Sequence, residues 1–485
     1  MTKLSEILKR RAEIVAIVAL TVTMLAGGSA AADDTAAIAA DNVLERDRYL
    51  LLDSRIIESA ENAKLTLGTV RKHEANPLFK EEHVWESRFD NLYGNVIYDK
   101  EEQIYKCWYN TFLHLPAAKG MTLEQRKKPY PGQGNREMGI CYATSKDGIH
   151  WDKPKLGVVD FKGSKENNLV WRGPHGAGVF KDAREAEPSR RYKTIFMSDK
   201  LSYSFSPDGI HWEGEKPCGI NVRGDCHNNA LWAPTLGKYV AFTRTFGRRT
   251  RQVARTDSKD FVNWTPQQVV MMERPNQTYS MPVFQHGGVY LGLVAVYRMG
   301  LGRVWTELAW SPDTIKWHRI NRGSRLIPNS DKELDYDYGC VYACATPVFL
   351  KDEIRLYYGG SDWLHSTWRN AFLCLATLRP DGFAGYEQQN KEKPSVITTT
   401  PIPYRGQPIQ VTADVGPDGS VKVSVLDEAG STLAVAKAIT STVTDASLEL
   451  DNKVEAKKIR LRFELNSKVE WFSQSKLYSF HLKNE

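Results

Sequence analysis

The stretch SKDGIHW at 145–151 returns as SPDGIHW at 206–212, SKDFVNW at 258–264 and SPDTIKW at 311–317, with a shortened RPDGF at 379–383. The serines stand 61, 52 and 53 residues apart, and the short copy follows after 68. A repeat of about 50 to 60 residues confines a chain to few architectures, because each unit must bury a face against its neighbours. In each copy the Asp can hydrogen-bond the backbone just ahead of it, and Gly148 or Gly209 accepts the positive φ of a tight turn. The next apolar residue and the Trp are two apart, so in a strand they share one face. The motif therefore predicts a turn leading into a strand that buries a Trp. Glycine is missing from the third and fourth copies, which leaves the turn type open there.

Around each copy the chain reads as short β runs, as in NLYGNVIYD, QIYKCWYN and MGICYAT before the first motif or CHNNALWAP, KYVAFTR and RQVART before the third. Three strands, a turn and a fourth strand describe the blade of a propeller. The expected fold is all-β: a five-bladed β-propeller over residues 85–388, followed by a small C-terminal antiparallel β-sandwich over 395–485, where PIQVTADV, SVKVSVL and KIRLRFEL alternate apolar and polar residues. A β-helix has much shorter repeats, and no sixth motif supports a sixth blade. Residues 33–84 are expected to supply strands that close or underpin the ring.

At the start of the chain, Lys9, Arg10 and Arg11 precede an apolar run from Ile14 to Leu25 and then Ala30, Ala31 and Ala32. That is the order of a secretory signal, and the run is short of the roughly 20 residues of a membrane span. The expectation is cleavage after Ala32, a secreted or periplasmic product, and no membrane attachment afterwards. Removing 1–32 would lower the formal charge from +7 to +5, a mild basicity that makes nucleic acid a poor partner. Arginines cluster in RTFGRRTRQVAR at 244–255, where they could face an anionic glycan or simply solvent. Seven cysteines, at 107, 141, 218, 226, 340, 344 and 374, show no C-x-x-C pair and no zinc spacing. Most lie in apolar runs and read as buried thiols, with room for one disulfide.

In a propeller the innermost strands line a central funnel, and residues at one end of them converge. The residues at those strand entrances are Trp85, Glu86, Asp90 and Asn91 in blade 1, His175 in blade 2, and Asp225, His227 and Asn228 in blade 3. Blade 4 offers Gln277 and Tyr279, and blade 5 offers Asp335, Asp337 and Tyr342. Asp90, Asp225 and Asp337 thus occupy equivalent positions in three blades and are the candidate catalytic groups. Two carboxylates of unequal pKa flanking a bond are what glycoside hydrolysis needs. Loops after the second strands should open on the same face and bring Asn110, Asp199, Arg244, Arg298, Asp362 and His365 to the substrate. His227 and His365 could donate a proton or order a water or ion. Trp363 and Trp368 could stack on a sugar or belong to the core. No metal-ligand motif appears and no cofactor is expected, beyond a structural ion that the central channel could hold. Zinc-protease, serine-hydrolase and nucleotide-binding motifs are likewise missing.

The chain resembles the five-bladed propeller glycoside hydrolases, the broad group holding families 32, 43, 62, 68 and 117, and more narrowly the glycosyl hydrolase family 32 N-terminal-like proteins. The likeness rests on WESRFDNLYGNVIYD, EPSRRYK, LGKYVAFTR, SPDGIHW, IRLYYGGSDWLH and LATLRPDGF. It implies hydrolysis of a glycosidic bond of a carbohydrate, with an acidic residue of blade 1 as base or nucleophile. Asp90 matches that position, with Glu86 as its rival, and the transition-state-stabilising Asp would correspond to Asp182 or Asp225. Asp225, His227 and Asp337 are the candidates for the general acid. The W-M-N-D-P-N-G, R-D-P and E-C signatures of family 32 are not in the chain, so an invertase is not implied. Two other readings use the same architecture: a non-catalytic carbohydrate-binding propeller, and an adhesion module that needs no acidic funnel.

Overall fold

A computed structural model describes residues 46–131, 134–467 and 475–483. The expected signal segment lies outside them. Among the described residues no helix is long and apolar enough to cross a membrane.

The chain is an all-β, five-bladed propeller with an antiparallel sandwich. Blade 1 runs Asn95–Asp99, Ile104–Phe112, Met138–Ser145 and Leu169–Arg172 from axis to rim. Blade 2 runs His175–Lys181, Tyr192–Met197, Leu201–Ser206 and Lys216–Pro217, and blade 3 runs Asn229–Ala233, Lys238–Gly247, Thr250–Ser258 and Gln268–Met272. In blade 4 the axial strand is split into Gln277–Ser280 and Val283–His286, ahead of Val289–Arg298, Arg303–Ser311 and His318–Arg319. Blade 5 is split in the same way, into Cys340–Ala343 and Val348–Phe349, ahead of Ile354–Ser361 and Ala371–Leu378. Pro282 and Pro347 stand at the breaks, where the missing N–H interrupts the ladder.

The rim strand of blade 5 comes from far upstream. Arg71–Lys72 and Phe79–Lys80 pair with Ala371–Leu378, so the ring is closed by the N-terminal segment. Residues 48–67 do not join the ring. Arg48–Leu50 pairs with Lys476–Leu482, Ile57–Glu61 with Ser395–Thr399, and Ala63–Leu67 with Ala384–Gln388. The last of these strands, Ala384–Gln388, also sits in the sandwich rather than in blade 5. The sandwich buries the inward positions of its alternating strands, including Ile397, Val411, Val423, Leu461, Phe463 and Phe480. All seven cysteines are buried free thiols.

The repeated motif does something other than start a strand. In the first copy Gly148 N–H donates to Ser145 Oγ at 2.8 Å, and the N–H groups of Ile149 and His150 donate to Asp147 Oδ1 at 2.8 and 2.9 Å. The bonds recur in the second and fourth copies, and in the third Asp260 takes the N–H groups of Val262 and Asn263. Phe261 and Thr314 adopt φ of 63° and 68°, close to the 76° and 79° of Gly148 and Gly209, so all four turns share one conformation. Each turn docks on the preceding blade. Tyr357 of blade 5 donates to Gly148 O at 2.8 Å, Trp108 of blade 1 to Gly209 O at 2.6 Å, and Arg255 of blade 3 to Thr314 Oγ1 at 2.8 Å. Phe261 packs on Phe180, Tyr203 and Phe205 of blade 2. The Trp wedges between blades, as where Trp212 stacks on Trp171 and Trp317 meets Phe242 edge-on.

Candidate active site

Since blade strands alternate in direction, the turns lie at one end of the ring and the entrances of the axial strands at the other. There a pocket of about 240 Å³ is lined by residues of all five blades, among them Asp90, Asn91, His175, Asp225, Tyr279 and His365. The loop of 113–137, between the second and third strands of blade 1, adds Leu115, Tyr130 and Arg136.

Asp90 precedes the axial strand of blade 1 in an unusual backbone. Asp90, Leu92 and Tyr93 have φ of 58°, 63° and 44°. For L-residues this region costs about 1 to 2 kcal/mol each, and for bulky Leu and Tyr it is an outlier. Local bonds hold it: Leu92 N–H to Phe89 O at 2.9 Å, Tyr93 N–H to Asn91 O at 2.8 Å, and Asn91 Nδ2 to Tyr93 Oη at 2.7 Å. Strain of this kind concentrates at functional sites.

Among the described residues, three hydrogen bonds reach the Asp90 carboxylate and fall on Oδ1, from Arg88 Nε at 3.1 Å, Arg88 Nη2 at 3.0 Å and Arg369 Nη2 at 2.7 Å. Burial opposes ionisation, but the Arg369 and Arg88 charges outweigh it and hold the carboxyl well below its ordinary range. The side chain keeps 20% of its surface, which leaves Oδ2 for a ligand. Asp225, on the loop before the axial strand of blade 3, meets His175 Nε2 at 3.1 Å through Oδ1 and Arg244 Nη2 at 2.7 Å through Oδ2. It too is ionised: burial is overcome by the His175 hydrogen bond and the Arg244 charge.

Beneath the pocket the axis is filled by rings. Tyr93 stacks on His227 at 5.4 Å and meets His175 and Tyr342 edge-on, and Tyr279 meets Tyr342 and His365. His365 Nδ1 lies 3.2 Å from Arg369 Nη1, which can only donate, so Nδ1 accepts and the proton resides on Nε2. Burial and the Arg369 charge keep this imidazole neutral, far below its usual pKa. His365 thus offers a neutral N–H donor at the pocket wall.

Several expected residues stand elsewhere. Asp337 is fully buried, bonded to Lys72 Nζ at 2.7 Å, Tyr358 Oη at 2.8 Å and Ser330 N–H at 2.9 Å. It anchors the closing segment and does not line this pocket, because Lys72 of the N-terminal strand, which the repeat does not include, claims its carboxylate. Glu86 is buried against Tyr109 Oη at 2.6 Å and Lys153 Nζ at 2.9 Å. Asp182 sits at the opposite end of its strand, paired with Lys193 at 3.1 Å and Tyr239 at 2.5 Å. His227 lies under Tyr93, where burial lowers its pKa to about 3. Asn228 bonds Gly176 O and Gly224 O at 2.9 Å and receives Thr243 Oγ1 at 2.6 Å, which braces the loop carrying Asp225. Arg298 is exposed, over the Trp305 ring at 5.4 Å. Trp363 is buried against Tyr338, while Trp368 meets Tyr130 edge-on at 4.9 Å near the pocket rim. Arg244 reaches the site only through Asp225.

Sequence reasoning missed Arg88, Arg369, Arg136 and Tyr93, whereas Arg251 belongs to the 244–255 cluster that it had marked for an anionic glycan or solvent. Of the four missed, only Arg88, two residues before Asp90, carried a local signal. Among the described residues no group of three or more His, Cys, Asp or Glu side chains is arranged to hold a metal ion.

No protein-family model and no curated protein matches the chain. Among solved structures it is similar to an N-acetylgalactosamine deacetylase from F. plautii, at 12% identity over 65% of this chain and 96% of that one, with a TM-score of 0.43. It is also similar to a β-1,2-mannobiose phosphorylase from Listeria innocua, at 14% identity over 64% and 97% with a TM-score of 0.45. A third such structure is an α-L-arabinofuranosidase from Podospora anserina, at 12% over 62% and 95% with a TM-score of 0.42.

Proposed function

We propose that the chain is an exported carbohydrate-active enzyme that hydrolyses a glycosidic bond of a plant, algal or microbial glycan. The observation that carries this reading is the convergence of two ionised carboxylates, Asp90 from blade 1 and Asp225 from blade 3, on one pocket. Asp90, with Oδ2 unengaged, acts as base toward water or as nucleophile at the anomeric carbon. The leaving oxygen needs a proton, and neither carboxyl carries one. His175, whose Nε2 lies 3.1 Å from Asp225 Oδ1, is the candidate to deliver it, with Asp225 offsetting the charge developing on the sugar ring. His365 Nε2–H and Tyr279 hold the substrate.

The same two ionised carboxylates favour a second reading. A glycosidase pair ordinarily keeps one carboxyl protonated, and a pocket without one suits a propeller that binds carbohydrate without cleaving it. Purified protein incubated with a panel of polysaccharides, with released reducing sugar measured beside binding, separates the two. Hydrolysis predicts release that Asp90→Asn lowers by about a hundredfold or more; retention of glycan with no release by the wild type favours the binding module.

A further inference from the structure

The pocket holds more positive charge than its carboxylates can balance. Arg88, Arg136, Arg251 and Arg369 line it, and Arg244 stands behind Asp225, against the two carboxylates Asp90 and Asp225. Both carboxylates are already committed: Arg88 and Arg369 share Asp90, and Arg244 holds Asp225. Arg136 and Arg251 have no carboxylate partner among the described residues. Arg251 donates instead to the neutral amide oxygen of Gln277. Its guanidinium lies 5.0 Å from the Tyr279 ring centre, and Arg244 lies 4.7 Å from the same ring.

The unmet capacity is also visible atom by atom. Arg88 Nη1, Arg244 Nη1, Arg251 Nε and Arg369 Nε are buried with no hydrogen-bond acceptor among the described residues. A buried donor without an acceptor is costly, and more so when charged. Arg251 at the pocket and Arg244 behind Asp225 project from the same face of one strand pair, with Arg244 opposite Val253 and Arg251 opposite Phe246. All five cations are arginines, whose planar fork matches a carboxylate or sulfate through two parallel bonds.

We propose that the sugar bound in this pocket is anionic, bearing a carboxylate or a sulfate ester that Arg251 and Arg136 hold. The inference rests on the reading of the pocket as a carbohydrate site. The negative group gives Arg251 and Arg136 the anionic partner they lack and offsets the mutual repulsion of the arginines, while Oδ2 of Asp90 stays open toward the adjoining bond.

The test uses the full chain on an array of uronate-containing and sulfated polysaccharides, each beside its carboxyl-reduced or desulfated counterpart, with sugar release measured in parallel. The expected result is retention of an anionic glycan over its neutral counterpart. Arg136→Gln and Arg251→Gln should each weaken it by about tenfold or more, and Arg251→Lys by less. Arg136 is exposed, so its variant reports binding without a folding defect. Carboxylate and sulfate are told apart by which modification removes retention. Retention or cleavage of neutral glycans, unchanged in both Gln variants, would overturn the anionic substrate and leave the hydrolase reading standing. Failure of every anionic glycan to bind would overturn it as well. So would sugar release that depends on inorganic phosphate and whose phosphate requirement rises in the Arg251 variant, since the anion would then be free phosphate. An anionic glycan that is bound but never cleaved would uphold the inference and remove the hydrolase.

Discussion

Arg369 Nη2 donates to Asp90 Oδ1 at 2.7 Å, joining blade 5 to blade 1 across 279 residues. The contact lies where the ring closes, so the acidity of Asp90 depends on closure. Replacing Arg369 with Met should leave Arg88 alone to hold the carboxylate. The acidic limb of the pH profile of kcat/KM should then move up by about one pH unit or more. An unmoved limb would mean that Asp90 is not the group titrating there.

Asp337 provides the contrast, since it resembles Asp90 in the repeat and yet faces Lys72. Asp337→Asn should lower the unfolding free energy by about 3 kcal/mol, because it breaks a buried ion pair. The specific activity of the folded fraction should stay within about twofold of wild type, a change of under 0.5 kcal/mol in the barrier. Loss of activity at unchanged stability would restore Asp337 to the mechanism.

Glu81 accepts N–H bonds from Phe89 and Ala371 at 3.1 Å each, tying the segments that carry Asp90 and Arg369. Burial outweighs these bonds and pushes its carboxyl up to about 7. A folded pKa above the unfolded one means that the stabilisation is fully present below about pH 4.5 and is lost as pH rises to 7. Glu81→Gln stays neutral, so denaturant unfolding at pH 4.5 and pH 7.5 should show this part of the decline removed, on the order of 2 kcal/mol. A decline identical in both proteins would rule the mechanism out.

At Gly209 a Cβ would come within 2.5 Å of the Trp108 ring, on a backbone of φ 79°. Gly209→Ala should therefore destabilise the chain by about 2 kcal/mol by forcing blades 1 and 2 apart. Gly214→Ala, with φ of 104° and open space around it, controls for backbone strain alone. Equal losses in the two variants would show that the contact with Trp108 is unimportant.

The blade count was legible because one turn recurs, and a turn needs only local residues. What that turn docks on was not, since Tyr357, Trp108 and Arg255 belong to other blades. Alternating strands between residues 48 and 67 could be seen, but strand pattern carries no address, and their partners lie more than 300 residues away. Asp90 and Asp225 could be singled out from their place in the repeat. The same rule selected Asp337, because it says which end of a strand a residue occupies and not which neighbour claims it. Arg251 could be seen in the 244–255 cluster, but Arg88, Arg136 and Arg369 escaped notice for a related reason: an isolated arginine ordinarily reads as surface, and its convergence on a pocket is a property of the closed ring.

Strand Arg71–Lys72 waits for Ala371–Leu378, and Ala63–Leu67 waits for Ala384–Gln388. During synthesis the early segment must therefore stay unpaired until most of the chain has been made. Two edges remain open throughout that interval, each able to pair with a neighbouring molecule. Because Asp90 gains Arg369 only when this buckle fastens, a chain halted before its last blade would be not only unfinished but chemically silent.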